Sequence, residues 1–182
     1  MPTTIKQINL KSGQRAERKQ LITVAEWEEP LSGTTGTEQV REIIGVRIEE
    51  SAIAMNSDVQ ENTDILGQNH TDVNKTQPTQ DFNSFNILGG SRLAAYLIDN
   101  FRRNAVSELS GAFTIYVITA FLGDEQNGYE AIKQEECTIT YDNLGGDSYV
   151  NMDITVHYSN KNTTGSVDKL TPDFAFTADV TV

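Results

Sequence analysis

Apolar and polar positions along the chain follow two periods. From Val150 to Tyr158 the residues Val150, Met152, Ile154, Val156 and Tyr158 alternate with Asn151, Asp153, Thr155 and His157. This two-residue period predicts a strand with one covered face. Phe174, Phe176, Ala178, Val180 and Val182 repeat the pattern to the last residue, and a strand there needs a sheet to receive it. Ala112 to Leu122 is apolar on both sides, as expected of a strand covered on both faces. A buried helix can carry the same run, but the β-branched content and the flanking Gly111 and Gly123 favour a strand. Tyr129 to Tyr141 alternates clearly only in its second half.

Upstream, Thr4–Leu10 and Leu21–Trp27 are shorter β-like pieces, and Glu28-Glu29-Pro30 followed by Ser32 to Gly36 marks a turn. From Val40 the even positions Val40, Ile44, Val46, Ile48, Ala52 and Ala54 are apolar, a strand period that Glu42 and Glu50 interrupt. The helical period occurs once. Leu93, Leu97, Phe101 and Ala105 fall four apart, widened by Ala94 and Ile98. A helix over about 91–106 is predicted, with Ser91 capping its first turn and Asp99, Arg102 and Arg103 on its outer face.

Residues 56–85 fit neither period. They are rich in Asn, Asp, Gln and Thr, with Ile65, Leu66 and Val73 as the main aliphatics. Loops beyond about 12–15 residues are uncommon in compact domains, so this segment reads as an extended arm or hairpin with partners outside its own chain. The expected fold is mainly β: an antiparallel β-sandwich, or barrel-forming sheets, with one flanking helix. Residues 1–182 form a single domain, with an N-terminal arm over about 1–36 and an inter-subunit loop over about 56–85.

Charge sharpens this picture. Lys and Arg number 14 against 26 Asp and Glu, a net charge of −12. The balance is uneven, since residues 1–20 carry Lys6, Lys11, Arg15, Arg18 and Lys19 against Glu17 alone. The acidic remainder repels phosphate, which argues against ordinary DNA binding. The basic head reads either as an arm docking on an acidic neighbour, such as another copy of the chain, or as a solvated terminal hairpin. Lys11, Arg15, Arg18 and Lys19 are its candidate contacts. No apolar stretch reaches the roughly 18–20 residues of a bilayer span, so no membrane partner is expected. MPTTIKQINLKSG lacks the apolar core of a secretory signal.

Catalytic signals are sparse. The lone Cys137 alternates with Ile139 and Tyr141 and reads as a buried small hydrophobe. The two histidines, His70 and His157, stand in unlike segments without the convergent ligands that zinc needs. No G-x-S-x-G elbow is present, and the Gly33–Gly36 and Gly89–Gly90 stretches lack the lysine of a phosphate loop. Asp58, Glu61, Asp64 and Asp72 lack the calcium-loop pattern and its closing Glu; they read as solvated carboxylates on a candidate assembly arm. Asn69-His70-Thr71, Asn74-Lys75-Thr76 and Asn162-Thr163-Thr164 match the glycosylation pattern by chance in an Asn/Thr-rich chain. No cofactor, metal or enzymatic activity is expected.

Two segments carry a resemblance. Phe85-Asn-Ile-Leu-Gly-Gly-Ser-Arg-Leu93, and the stretch from Glu136-Cys-Thr-Ile-Thr-Tyr through Leu144-Gly-Gly-Asp-Ser-Tyr to Val156-His-Tyr-Ser-Asn160, look like the major tail (tail-tube) proteins of long-tailed bacteriophages. The likeness extends in element order over roughly residues 38–170. It implies a β-sandwich with a flanking helix, assembled as hexameric rings whose inner strands close a continuous barrel. Rings would stack through long loops and terminal arms, with DNA passing through the lumen without specific binding. The implied partners are further copies of the chain and other tail proteins, such as tape measure, tail terminator and distal tail proteins. The implied location is the virion, assembled in the host cytoplasm. The alternative reading is a non-catalytic carbohydrate- or protein-binding β-sandwich using surface aromatics, for which Tyr129 and Trp27 are the candidates.

Overall fold

The computed structural model describes residues 6–31, 35–48 and 50–179. The strands among them are β1 (Leu21–Pro30), β2 (Thr37–Ile44), β3 (Ile53–Ala54), β4 (Ser57–Thr63), β5 (Asn69–Thr76) and β6 (Thr79–Asn86), then β7 (Phe113–Asp124), β8 (Gly128–Tyr141), β9 (Asn151–His157), β10 (Lys161–Val167) and β11 (Phe176–Ala178). Helix α1 (Arg92–Arg103) lies between β6 and β7.

All pairings are antiparallel, and one strand joins two layers. The order β2-β1-β7-β8 continues through β10 to β11, because residues 129–135 of β8 also pair with β10. Residues 138–141 of β8 pair instead with β9, which leads to β6 and β3. Between the two halves Glu136 takes φ +55°, an irregularity that lets a strand change sheets. The fold is therefore a mainly-β sandwich. The first half of β8 shows no clean alternation because it sits between two strands of a layer covered on both faces.

The main core lies between the layers. Ala25 and Trp27 from β1, Phe113, Ile115 and Val117 from β7, and Ile139 meet Phe82, Phe85, Met152, Ile154 and Val156 across the sandwich. Helix α1 adds Leu93 and Leu97, and the rings of Trp27, Tyr96 and Phe113 stand 6.0–6.3 Å apart. A second core covers the opposite face of the first layer, where Val24, Tyr116, Ile118 and Ala131 meet Val167 and Phe174. The apolar run in β7 is thus buried on both sides. Gly165 makes this closure possible, since a Cβ there would lie 2.3 Å from the Thr177 carbonyl oxygen and 2.7 Å from the Phe176 ring.

Several expected boundaries move. The segment from Val40 to Ala54 is two strands, not one: β2 ends at Ile44, and Gly45 (φ +101°) and Arg47 (φ +64°) turn the chain. Helix α1 ends at Arg103 because Asn104 adopts the left-handed conformation, with its N–H returned to the carbonyls of Asn100 and Phe101. Its buried face is Leu93, Ala94, Leu97 and Asn100, so Phe101 is half exposed and rests edge-on against Tyr141. Residues 6–10 form no regular strand, although the Asn9 amide donates to the Phe121 carbonyl at 2.8 Å. Val150 precedes β9 and is exposed. Thr4 and Ile5 of the first β-like piece, residues 32–34 of the expected turn, Glu49, and the strand continuation through Val180 and Val182 lie outside the described residues.

The largest revision concerns the polar stretch. Only β4 and β5 form a separate hairpin; β6 belongs to the body and buries Gln80, Phe82 and Phe85. Phe82 and Phe85 are three apart, which in regular alternation would place them on opposite faces. A register shift with Ser84 at φ +57° turns both inward. Gln80 is tolerated because its Oε1 accepts from Tyr158 (2.6 Å) and Thr23 (3.0 Å), while its Nε2 donates to Ser51 (3.1 Å).

Candidate assembly interface

The hairpin is anchored at its root and solvated along its length. Asn56 Nδ2 donates to the Gln77 carbonyl and to Thr79, and Asn160 Nδ2 donates to the Thr76 carbonyl, both carbonyl bonds at 2.9–3.0 Å. Every residue of β4 is exposed. At about 3.3 Å per residue the ladder reaches roughly 25 Å from the root. Val59 pairs with Val73, both more than half exposed. A two-stranded ribbon that buries no apolar surface is marginal in isolation, so its polar ladder and turn must hold it.

Asp64 organises the turn. Its Oδ1 accepts the amides of Leu66 (2.8 Å) and Gln68 (2.9 Å), and its Oδ2 lies 3.0 Å from His70 Nε2. The Gln68 amide, followed by His70, holds the Asp64 carboxyl below its ordinary range. This turn projects Ile65 and Leu66 fully into solvent, at 102% and 78% exposure. The four candidate carboxylates are thus strung along one element rather than gathered. Asp58 faces Lys75, Gln60 faces Asp72, Glu61 faces Thr71, and Asp64 sits at the tip.

The basic residues divide. Lys6 pairs with Glu130 at 2.9 Å, tying the segment to β8. Arg18 sends Nη1 to the Leu21 carbonyl (2.5 Å) and Nε to that of Ser51 (3.1 Å). Lys19 pairs with its neighbour Glu17, and among the described residues the Lys11 and Arg15 side chains make no ion pair. Arg18 and Lys19 stand at the rim of a hollow of about 300 Å³ at the end of the first layer, walled by Leu21, Ile22, Ile43 and Ile48. Sequence reading missed this hollow, whose walls come from three separated segments; the basic run at its rim was the available signal.

The first layer ends in two free edges, since β2 pairs only with β1 and β11 only with β10 among the described residues. Such edges invite pairing with another chain.

The other candidate chemistry is dispersed. Cys137 is fully buried, and burial pushes its thiol up. His157 lies 3.0 Å from Thr140 on the outer side of β9, while His70 is on the hairpin. No group of three or more His, Cys, Asp or Glu side chains converges among the described residues. No helix among them is long and apolar enough to cross a membrane. Trp27 is in the core and is removed as a binding-surface aromatic, whereas Tyr129 is partly buried against the second core and lines an open surface hollow with Asn9 and Gln126.

No protein-family model matches the chain, and no curated protein matches it. Among solved structures, a cryo-EM structure of an anti-feeding prophage baseplate, six-fold symmetrised, is similar at 9% identity and a TM-score of 0.44, covering 88% of this chain and 100% of that chain. A likeness of that size leaves the role to rest on this chain's own residues.

Proposed function

We propose that the chain is a structural subunit of a bacteriophage tail tube, six copies closing into a ring and rings stacking into a conduit for DNA. The hairpin carries this reading. Twenty residues project from the body, include no buried side chain among those described, and carry two solvent-facing aliphatics on an ordered turn. Adjacent aliphatics held out on an ordered turn are suited to a contact with another molecule. Two further features agree. Edges β2 and β11 lie at opposite ends of one layer, the arrangement that lets identical copies pair side by side and leave no edge open. The net charge of −12 suits a channel along which DNA slides without sticking, because a surface poor in cations gains nothing from counterion release.

The tail-tube-like segments Phe85–Leu93 and Glu136–Asn160 supply the particular assembly. The reading includes no catalytic role and no cofactor. Its partners are copies of the chain, with tape measure, terminator and distal tail proteins at the tube ends, and its location is the virion.

Negative-stain microscopy of the purified protein tests it. Rings or tubes with a central hole a few nanometres wide are expected. A monodisperse monomer under all conditions, with or without a tail-tip initiator, would remove the reading. Binding to a glycan array would then favour the alternative, in which Tyr149, 81% exposed, is the available aromatic.

A further inference from the structure

The two features that the body leaves unused, an apolar acidic tip and an apolar hollow with a basic rim, match each other. The tip offers Ile65 and Leu66. Its hairpin, residues 57–76, carries Asp58, Glu61, Asp64 and Asp72 against Lys75. The hollow has aliphatic walls and about 300 Å³ of space, near the lower end of ligand-site volumes and enough for a pair of branched side chains. Its rim belongs to residues 1–20, where five cations stand against Glu17 alone, and Arg18 is fixed there by two carbonyls.

We propose that the arm tip of one copy seats Ile65 and Leu66 in the hollow between Leu21, Ile22, Ile43 and Ile48 of a second copy, with the arm's carboxylates facing Arg18 and Lys19. This rests on the self-assembly reading above and gives the basic amino-terminal segment a role within it. A second copy is the occupant because both halves occur on the same chain with opposite charge, and because among the described residues the hairpin is hydrogen-bonded to its own body at its root. The contact joins different patches of the two copies, so the pair keeps one free tip and one free hollow and the association propagates. Lys19 is available for it, since its pair with Glu17 is exposed and is exchanged for another carboxylate at little cost.

Disulfide trapping tests the contact. The chain's own Cys137 is buried, so introduced thiols report alone. Leu66→Cys protein mixed with Val46→Cys protein (Val46 also lines the hollow and is half exposed) is expected to give a cross-linked dimer under mild oxidation. Leu66→Cys with Ser107→Cys, an exposed control, is expected to give none, because the bond forms only when the Cα atoms come within about 7 Å. In parallel, Leu66→Ala is expected to raise the concentration needed for assembly roughly tenfold to a hundredfold, the scale of losing one buried aliphatic side chain. Rings or tubes without the 66–46 product would overturn this contact and leave the tail-tube reading standing. The 66–46 product without rings or tubes would uphold the contact and remove the tail-tube reading. Equal yields with Val46→Cys and Ser107→Cys would overturn it as non-specific trapping.

Discussion

The carboxylate of Glu42, in the middle of β2, accepts the backbone amide of Arg92, the first residue of α1, at 2.8 Å. The same carboxylate takes the Leu93 amide at 3.0 Å and the Ser91 hydroxyl at 2.5 Å. A helix start leaves amides without partners and carries partial positive charge, so an acid reaching over from the sheet satisfies both needs. Ser91 itself caps the Ala94 amide. Glu42→Ala is expected to lower stability by about 1–2 kcal/mol, a cap's worth plus the lost charge interaction. Glu42→Gln, which keeps an acceptor, should lose less. Urea unfolding of the three proteins measures the difference.

Arg41, the preceding residue, turns to the opposite face and holds the second core closed. Its Nε donates to Glu26, its Nη1 donates to the Phe174 carbonyl at 2.7 Å, and its guanidinium lies 4.6 Å from the Phe174 ring and 5.2 Å from that of Tyr116. Glu26 is buried, and the Tyr116 hydroxyl, pushed up by burial and then by that carboxylate, is its other polar neighbour. Arg41→Ala leaves the Glu26 charge without its cation and removes the plate on which Phe174 stacks. It is expected to cost about 2–4 kcal/mol. Arg41→Lys keeps the charge but not the planar contacts and should recover only part of the loss, again by urea unfolding.

Glu42 also shows what the sequence conveyed and what it hid. It stands out as a break in the apolar period of Val40 to Ala54, but nothing local says that a helix fifty residues away begins against it. Regular alternation located β9, and the two-sided apolar run located β7, because in both the pattern follows from burial alone. Phe82 and Phe85 were assigned to the arm because the bulge at Ser84 breaks the period that marks a strand. Likewise Phe101 continued the helical stripe on paper, whereas the sheet beneath selects the face of Leu93, Leu97 and Asn100. The polar arm was legible from composition. The hollow at Leu21, Ile43 and Ile48 was not, because only tertiary structure assembles it.

Asp64 and Asp173 set the expected acid response of two exposed turns. The Gln68 amide and His70 depress the first, and Lys169 and Thr171 hold the second at about 2, against an ordinary value of 3.8 for both. With the folded value below the unfolded one, each contribution is fully present above the ordinary value and is lost as pH falls through the depressed one. The protection of the Leu66 and Gln68 amides, taken against a free amide at the same pH, is therefore expected to stay constant from neutral pH down to the ordinary aspartate range and to fall below it. The loop holding Phe174 should loosen over the window from about 4 to about 2. Asp64→Asn is expected to quicken exchange at the tip at neutral pH while leaving the melting temperature of the body unchanged.

Cys137 gives a probe of the sandwich that needs no labelling. It lies at the point where β8 changes sheets, with no solvent exposure, and burial raises its thiol. Native protein is expected to show no reaction with a disulfide reagent over minutes at pH 8, and one thiol per chain in urea. The unfolding midpoint from reactivity should match that from circular dichroism if the two layers separate together.

Removing the arm distinguishes folding from assembly, and the structure fixes where to cut. A deletion reaching Asp81 would take Gln80 out of the Tyr158–Thr23–Ser51 network and shorten β6, so its failure would reveal only a damaged core. Joining Asn56 to Gln77 through two glycines removes Ser57–Thr76 alone and leaves Asn56 beside the Gln77 carbonyl to which it already donates. Asn56 sits at φ +46°, a conformation suited to a tight turn. The shortened chain is expected to keep its β spectrum and to melt near the parent's temperature, because no described side chain of β4 or β5 is buried. It should give single rings or monomers by negative-stain microscopy where the parent stacks. Full-length tubes from the shortened chain would show that stacking is carried by other surfaces of the body, and that the hairpin serves some contact outside the tube wall.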